Sequence, residues 1–301
     1  MKYIPFVFLI FQINYAKAQS KAWSKTLPNI GPFSSPRATD LNGDGIKDIV
    51  LGAGKAEFQR SDSAVIALDG RNGNLLWTNS ARDQNFISAG LLDINKDGTD
   101  DVIVGGRSSE LMALNGKNGK EIWRFDTLKY SKNHTKRWFN FYNPQIIDDQ
   151  NKDNIEDILI SNGGDIFVPP HNPNRAMGRL VVLSGKDGSV IADAPMPDGK
   201  EIYMSVACLK QPDGDYEIVF GTGGETVGGN LYVGTLRAVL NGDLSKSIKL
   251  YSCENKGFIS PPVWVDINLD KVPDIVVNGV EGSILAFDGK TYLPIWKNKF
   301  K

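Results

Sequence analysis

The sequence predicts an all-β protein, a β-propeller of about five four-stranded blades. Three observations predict it. A nine-residue acidic motif recurs along the chain at near-even spacing. Each copy runs into a short strand rich in Val, Ile and Leu. A second element, strand, glycine turn, strand, keeps step with the first and often carries Trp.

The first copy is Asp40-Leu-Asn42-Gly-Asp44-Gly45-Ile46-Lys-Asp48, followed by Ile-Val-Leu-Gly. The second runs from Asp93 through Asn95, Asp97, Gly98 and Thr99 to Asp101. The third has Asp149, Asn151, Asp153, Asn154, Ile155 and Asp157, and the last Asp266, Asn268, Asp270, Lys271, Val272 and Asp274. A decayed copy lies between those two, with Leu209, Gln211, Asp213, Asp215 and Glu217 at the odd positions. Successive starts are 53, 56, 60 and 57 residues apart.

The second element reads Ala67-Leu-Asp-Gly70 to Trp77, Ala113-Leu-Asn-Gly116 to Trp123, Val182-Leu-Ser-Gly185, and Ala286-Phe-Asp-Gly289 to Trp296. One unit is therefore strand, acidic loop, strand, variable loop, strand, tight turn, strand. In the second unit the strands are expected near residues 86–93, 101–106, 110–115 and 121–126. Four strands in some 55 residues make a propeller blade, and a lone blade must stack on others to cover both faces. Ala22-Trp23-Ser24-Lys25-Thr26 resembles a sixth outermost strand for only five sets of the other three. Either one strand is spare or the blades are part of a larger ring.

The N-terminus has its own pattern. Lys2 precedes the apolar run Ile4–Phe11, and Ala16-Lys17-Ala18 fits the small-x-small cleavage rule. Residues 1–18 are expected to be a signal peptide, with the mature chain beginning at Gln19 and secreted, periplasmic or at the cell surface. No later segment reaches the ~18 apolar residues that a membrane helix needs. Cys208 and Cys253 fall on the inner and outer strands of one unit, too far apart to bridge, so two free thiols are expected.

Acids and bases nearly cancel, with a net charge of −1, which leaves no basic stripe for nucleic acid. Only two histidines are present, His134 and His171. The acidic motif is the strongest chemical signal. Positions 1, 3, 5 and 9 supply side-chain oxygens and position 7 a backbone carbonyl, a hard-oxygen set that suits Ca2+. The candidate ligands are Asp40, Asn42, Asp44, Ile46 and Asp48; Asp93, Asn95, Asp97, Thr99 and Asp101; Asp149, Asn151, Asp153, Ile155 and Asp157; and Asp266, Asn268, Asp270, Val272 and Asp274. The competing reading is a solvated turn that bonds its own backbone. Lys271 stands where glycine or asparagine would turn the chain more cheaply, and the Leu209 copy is expected to be empty.

The acidic loops followed by Ile-Val-x-Gly resemble FG-GAP/VCBS repeats, as in integrin-α-like propellers. The Ala-Leu-Asp-Gly-x-x-Gly-x-x-x-Trp elements resemble those of pyrroloquinoline-quinone (PQQ)-like propellers, which include outer-membrane assembly factors. Together they span about residues 20–301. The resemblance implies that the loops at Asp40, Asp93, Asp149 and Asp266 bind calcium between the first and second strands of their blades.

In such a blade the acidic loops and glycine turns share one face. The loops from strand two to three, and from blade to blade, share the other, and the long irregular stretches fall there. Trp138, Tyr142, His171 and Arg175 are the candidate ligand-binding residues, since aromatics beside cations suit sugars, peptides or anions. The expected function is a binding scaffold for protein or carbohydrate. The alternative is a propeller enzyme, a quinone-dependent dehydrogenase or a polysaccharide lyase. Quinone dehydrogenases resemble the chain in their Trp-bearing blades but carry adjacent cysteines, which Cys208 and Cys253 are not.

Overall fold

A computed structural model describes residues 23–125, 127, 138–172 and 174–300. The expected signal peptide, and the segment holding Tyr130, Lys136 and Arg137, lie outside them. The chain forms five antiparallel sheets in sequence order. The first holds β1 (Gly31–Pro32) and β2 (Arg37–Thr39), both against β3 (Asp48–Gly54), then β4 (Ser61–Leu68) and β5 (Leu75–Ala81). The second is β6 (Gly90–Leu92), β7 (Asp101–Gly105), β8 (Leu111–Leu114) and β9 (Glu121–Arg124). The third has β10 (Asn140–Phe141) and β11 (Gln145–Ile147) against β12 (Asp157–Gly163), then β13 (Arg179–Leu183) and β14 (Val190–Pro195). The fourth is β15 (Ala207–Lys210), β16 (Tyr216–Gly221), β17 (Gly229–Thr235) and β18 (Ile248–Cys253). The fifth is β19 (Val263–Val265), β20 (Asp274–Gly279), β21 (Ser283–Phe287) and β22 (Pro294–Lys299). A short α-helix, α1 (Leu236–Leu240), follows β17 and is capped by Thr235 Oγ1, which accepts the Ala238 N–H.

These are propeller blades, with strand positions within a few residues of those the repeats predict. Both faces of the third sheet are buried. Ile158, Ile160, Val181 and Leu183 join the core shared with the first two sheets. Leu159, Leu180 and Val182 join the core shared with the last two. Period-two alternation thus gives near-continuous apolar runs, because each face meets a neighbouring blade.

A repeated brace joins sheets near their glycine turns. Trp77 Nε1 donates to the Gly116 carbonyl at 2.7 Å, and Trp123 Nε1 to that of Gly185 at 2.9 Å. Each ring covers a glycine with positive φ, Gly119 (φ 68) under Trp77 and Gly188 (φ 70) under Trp123. A Cβ on either would come within 2.6 Å of the indole, so only glycine fits. Opposite the rings stand Ala67 and Ala113, small enough to admit them.

Trp23 explains the surplus strand. It lies outside any strand, yet its indole donates to the Gly70 carbonyl at 2.9 Å, as an outermost strand of a preceding blade would. With Leu27 and Ile30 it covers Ala53, Ile66 and Leu68 on the first sheet. At the far end, the fifth sheet presents Val263 and Phe300 to solvent, 56% and 61% exposed. No apolar cluster joins the fifth sheet to the first among the described residues. The five blades therefore form an open arc there, and the sequence could not distinguish this from a closed ring. Cys208 and Cys253 are free, as expected.

Candidate functional site

The four intact acidic loops share one backbone. Positions 4 and 6 have positive φ in all of them: Gly43 and Gly45, Lys96 and Gly98, Lys152 and Asn154, Leu269 and Lys271. Lys271 thus adopts the left-handed turn (φ 73) despite its Cβ. Position 1 accepts backbone N–H groups on both oxygens: Asp40 from Gly43 at 2.8 Å and Gly45 at 2.9 Å. Asp93, Asp149 and Asp266 take the sixth-position N–H in the same way. The Gly45 N–H is the main cause holding the Asp40 carboxyl below its usual range. Position 3 accepts from position 5, and position 5 from position 7.

The ninth position does something the spacing did not announce. Asp48, Asp101, Asp157 and Asp274 are wholly buried. Each clamps the acidic loop to the glycine turn of its own sheet. Asp48 takes the N–H groups of Leu41 and Gly70, both at 2.9 Å. Asp101 takes Ile94 and Gly116, Asp157 takes Gln150 and Gly185, and Asp274 takes Ile267 and Gly289. This puts acidic loops and glycine turns on one face, as the unit predicts.

Whether the loops fit calcium turns on their donors. Every side-chain donor is a hard oxygen, and carboxylates keep lone pairs beyond those used on N–H groups. Against this, no three acidic, histidine or cysteine side chains among the described residues are grouped to hold a metal. The fifth-position oxygens also meet donors from the neighbouring turn. Arg71 lies 3.1 Å from Asp44, Lys117 3.1 Å from Asp97, and the Ser184 hydroxyl 3.1 Å from Asp153. A cation would have to be held by mixed Asp, Asn and backbone oxygens, and in the first two loops it would compete with a protein cation. In the decayed copy Leu209 is a strand residue paired with Glu217, so no comparable cradle forms.

The opposite face holds a cavity of about 380 Å3 to which all five blades contribute. Glu57 comes from the β3–β4 loop, and Phe86 and Arg107 from the second blade. Tyr142 and Pro170 come from the third, and Glu201 and Tyr203 from the connection between third and fourth. Glu225 and Thr226 follow β16, and Ile259 precedes β19. Phe86, Tyr142 and Tyr203 form an aromatic strip with centroids 5.7 Å and 6.2 Å apart.

Two of the three carboxylates that line the cavity are paired with arginines. Arg107 lies over the Phe86 ring at 5.0 Å and donates to Glu57 at 2.7 Å, while its Nε is buried without a hydrogen-bond partner. Arg175 sits behind the wall with only 7% of its side chain exposed. It donates to Glu201 at 2.5 Å, to the Tyr203 hydroxyl at 2.7 Å and to the Val168 carbonyl. Burial pushes the Glu201 carboxyl up, and Arg175 offsets part of that rise. Asp165 accepts the Phe167 and Ala176 N–H groups and so fixes the loop that carries Arg175. Glu225 is exposed at the rim.

Of the four residues expected here, Tyr142 lines the cavity and Arg175 buttresses it. His171 is exposed on the loop beside Pro170. Trp138 is a correction: it is 7% exposed, packed edge-on to Phe125 and beneath Arg179, because the interface between the second and third blades needs a large apolar filler. Tyr232, on β17, is a buried strand residue stacked on Phe220. Glu57, Arg107, Glu201 and Tyr203 escaped the sequence reading because they sit on connections of ordinary length and composition.

Comparison with known proteins agrees with this architecture. Residues 38–137 match the family described as outer membrane protein assembly factor BamB. No curated protein matches the sequence. The crystal structure of BamB from Moraxella catarrhalis is similar at 15% identity and a TM-score of 0.53, covering 92% of this chain and 64% of that one. A quinohemoprotein alcohol dehydrogenase from Pseudomonas putida HK5 is similar at 14% identity and a TM-score of 0.57, covering 93% and 43%. One from Comamonas testosteroni is similar at 12% identity and a TM-score of 0.52, covering 90% and 43%. The chain thus spans less than two thirds of each of these structures. At these identities the likeness is one of fold: the chain is a β-propeller-type array of blades, and residues 38–137 carry repeats similar to those of the BamB family.

Proposed function

We propose that this protein is a binding scaffold, secreted or periplasmic, that takes a protein or carbohydrate ligand in the cavity on its loop-rich face. The observation that carries this is the convergence of all five blades on one cavity where Glu57 and Glu201 are already paired with Arg107 and Arg175. Preformed Arg–Glu pairs beside an aromatic strip offer fixed donors and acceptors with little left to reorganise, which favours binding. The described lining includes no histidine, cysteine, serine or lysine, and its deepest carboxylate, Glu201, is committed to Arg175. The family description, outer membrane protein assembly factor, supports a scaffold role and an envelope location.

A screen of the chain against immobilised saccharides and extracellular protein domains should yield a binder. Its affinity should fall at least about tenfold in Tyr203→Ala and in Glu225→Ala. A binder indifferent to both variants would place the ligand elsewhere.

We further propose that the FG-GAP-like loops bind calcium as bracing ions, most readily those beginning at Asp149 and Asp266, where no basic side chain among the described residues is paired with the fifth-position carboxylate. A site filled at a hundred times its Kd adds about 2.7 kcal/mol. Chelation should then lower Tm by about 4–5 °C per filled site. An unchanged Tm in calcium and in chelator would leave the loops as self-bonded turns.

A further inference from the structure

The fourth blade breaks the repeat in three places, and the breaks meet. Its glycine turn is replaced by α1 and the segment leading to β18. Its ninth motif position is Glu217, where the other four blades have the clamping aspartate. Its outer strand has no Trp to set on the next blade. The fifth blade answers at the position equivalent to Gly119 and Gly188. There it carries Tyr292 (φ 59), which packs into the core of the last blades.

Between the fourth and fifth blades lies a cavity of about 460 Å3. Tyr216, Tyr292, Val233 and Ile248 supply its aromatic and aliphatic walls, with Glu217 among them. Glu217 lacks the two backbone partners that hold the clamping aspartates. Gln211 Nε2 approaches its Oε2 at 3.5 Å. Its Oε1 is buried with no donor at full hydrogen-bonding geometry, while the Tyr292 hydroxyl is close enough to the carboxylate to offset part of the effect of burial. Burial pushes this carboxyl up, a cost that an opposing charge would relieve. Asp213 and Asp215 stand at the mouth, no closer than 3.9 Å and 3.7 Å to Arg237. Lys246 also lies at the rim, where its charge helps hold the neighbouring Asp243 carboxyl down, after the hydrogen bonds from Ser245.

We propose that this cavity binds an organic cation, an ammonium or guanidinium group on an apolar stem. Glu217 is its counter-charge and Tyr216 and Tyr292 are its aromatic walls. Tyrosine faces attract cations, Val233 and Ile248 suit the stem, and the excess of carboxylates at the mouth repels anions. A free amine and a lysine side chain share this chemistry. The site is separate from the cavity on the loop-rich face and stands or falls independently of it.

Ligand-observed NMR with n-butylammonium, neutral n-butanol and N-acetyl-lysine amide tests the proposal. Butylammonium is expected to bind and butanol not to. Glu217→Gln, nearly isosteric, should weaken butylammonium at least about tenfold. Ile248→Trp, at a position 48% exposed, should block the cavity with the carboxylate intact. Acetyl-lysine amide binding as well as butylammonium would assign the site to protein side chains, and butylammonium alone to free amines. Equal binding of butanol, or unchanged binding in both variants, would overturn the proposal.

Discussion

Trp123→Ala should cost about 3–5 kcal/mol of stability, the usual range for removing a buried tryptophan, whereas Trp296→Ala should cost about 1 kcal/mol or less. The two residues hold equivalent places, opposite Ala113 and Ala286. Trp123 is 7% exposed, and its indole N–H meets the Gly185 carbonyl of the next blade. Trp296 is half-buried, and no following blade meets its indole among the described residues. Truncating Trp123 would open a void between the second and third blades and orphan a carbonyl. Blade arrays depend on nearest-neighbour interfaces, so the loss should spread to both blades. Urea unfolding of the two variants beside the parent would measure the difference. Equal losses would mean that the outer side of the fifth blade is covered, and would sink the open-arc description.

Much of this architecture was legible in the sequence, for physical reasons. The Asp-x-Asn-x-Asp spacing, the glycine turns and the Trp strands recur because each blade solves the same packing problem, and repetition separates them from chance. Tyr142 and Arg175 were singled out by their position in long stretches, and they lie in and behind the wall of the cavity. The misses arose where chemistry and packing use the same residue types. Trp138 in a loop-flanking stretch reads equally as a ligand platform or as filler, and only its contacts with Phe125 and Arg179 decide. The cavity on the loop-rich face is assembled from residues as far apart as Glu57 and Ile259. No local pattern joins them; the curvature of the arc does.

Asp101→Ala should destabilise the protein by about 3–5 kcal/mol, and Asp101→Asn by roughly half as much. Asp101 Oδ1 accepts the Gly116 N–H at 2.9 Å, and Oδ2 accepts those of Ile94 and Asn95 at 3.1 Å and 3.3 Å. The carboxylate is wholly buried. Alanine would leave the Gly116 and Ile94 N–H groups buried and unpaired, at about 1–3 kcal/mol each. Asparagine has one acceptor oxygen, so it serves one side of the clamp, but it also removes a buried charge.

The pH dependence separates these effects. Burial is the main cause raising the Asp101 carboxyl above its ordinary value of 3.8, against the pull of the three N–H donors. The folded protein therefore keeps this proton to a higher pH than the unfolded chain. Stability from this group is greatest below 3.8 and declines as pH rises through the folded value. Asp101→Asn should lack that decline, so its deficit relative to the parent should narrow as pH rises through this window. A deficit of constant size in unfolding experiments across that range would contradict the assignment. A planar group with two acceptor oxygens is what tying a loop to a turn requires, and among the standard side chains only the carboxylates provide it. Aspartate at the ninth position is thereby accounted for by folding, with or without a cation in the loop.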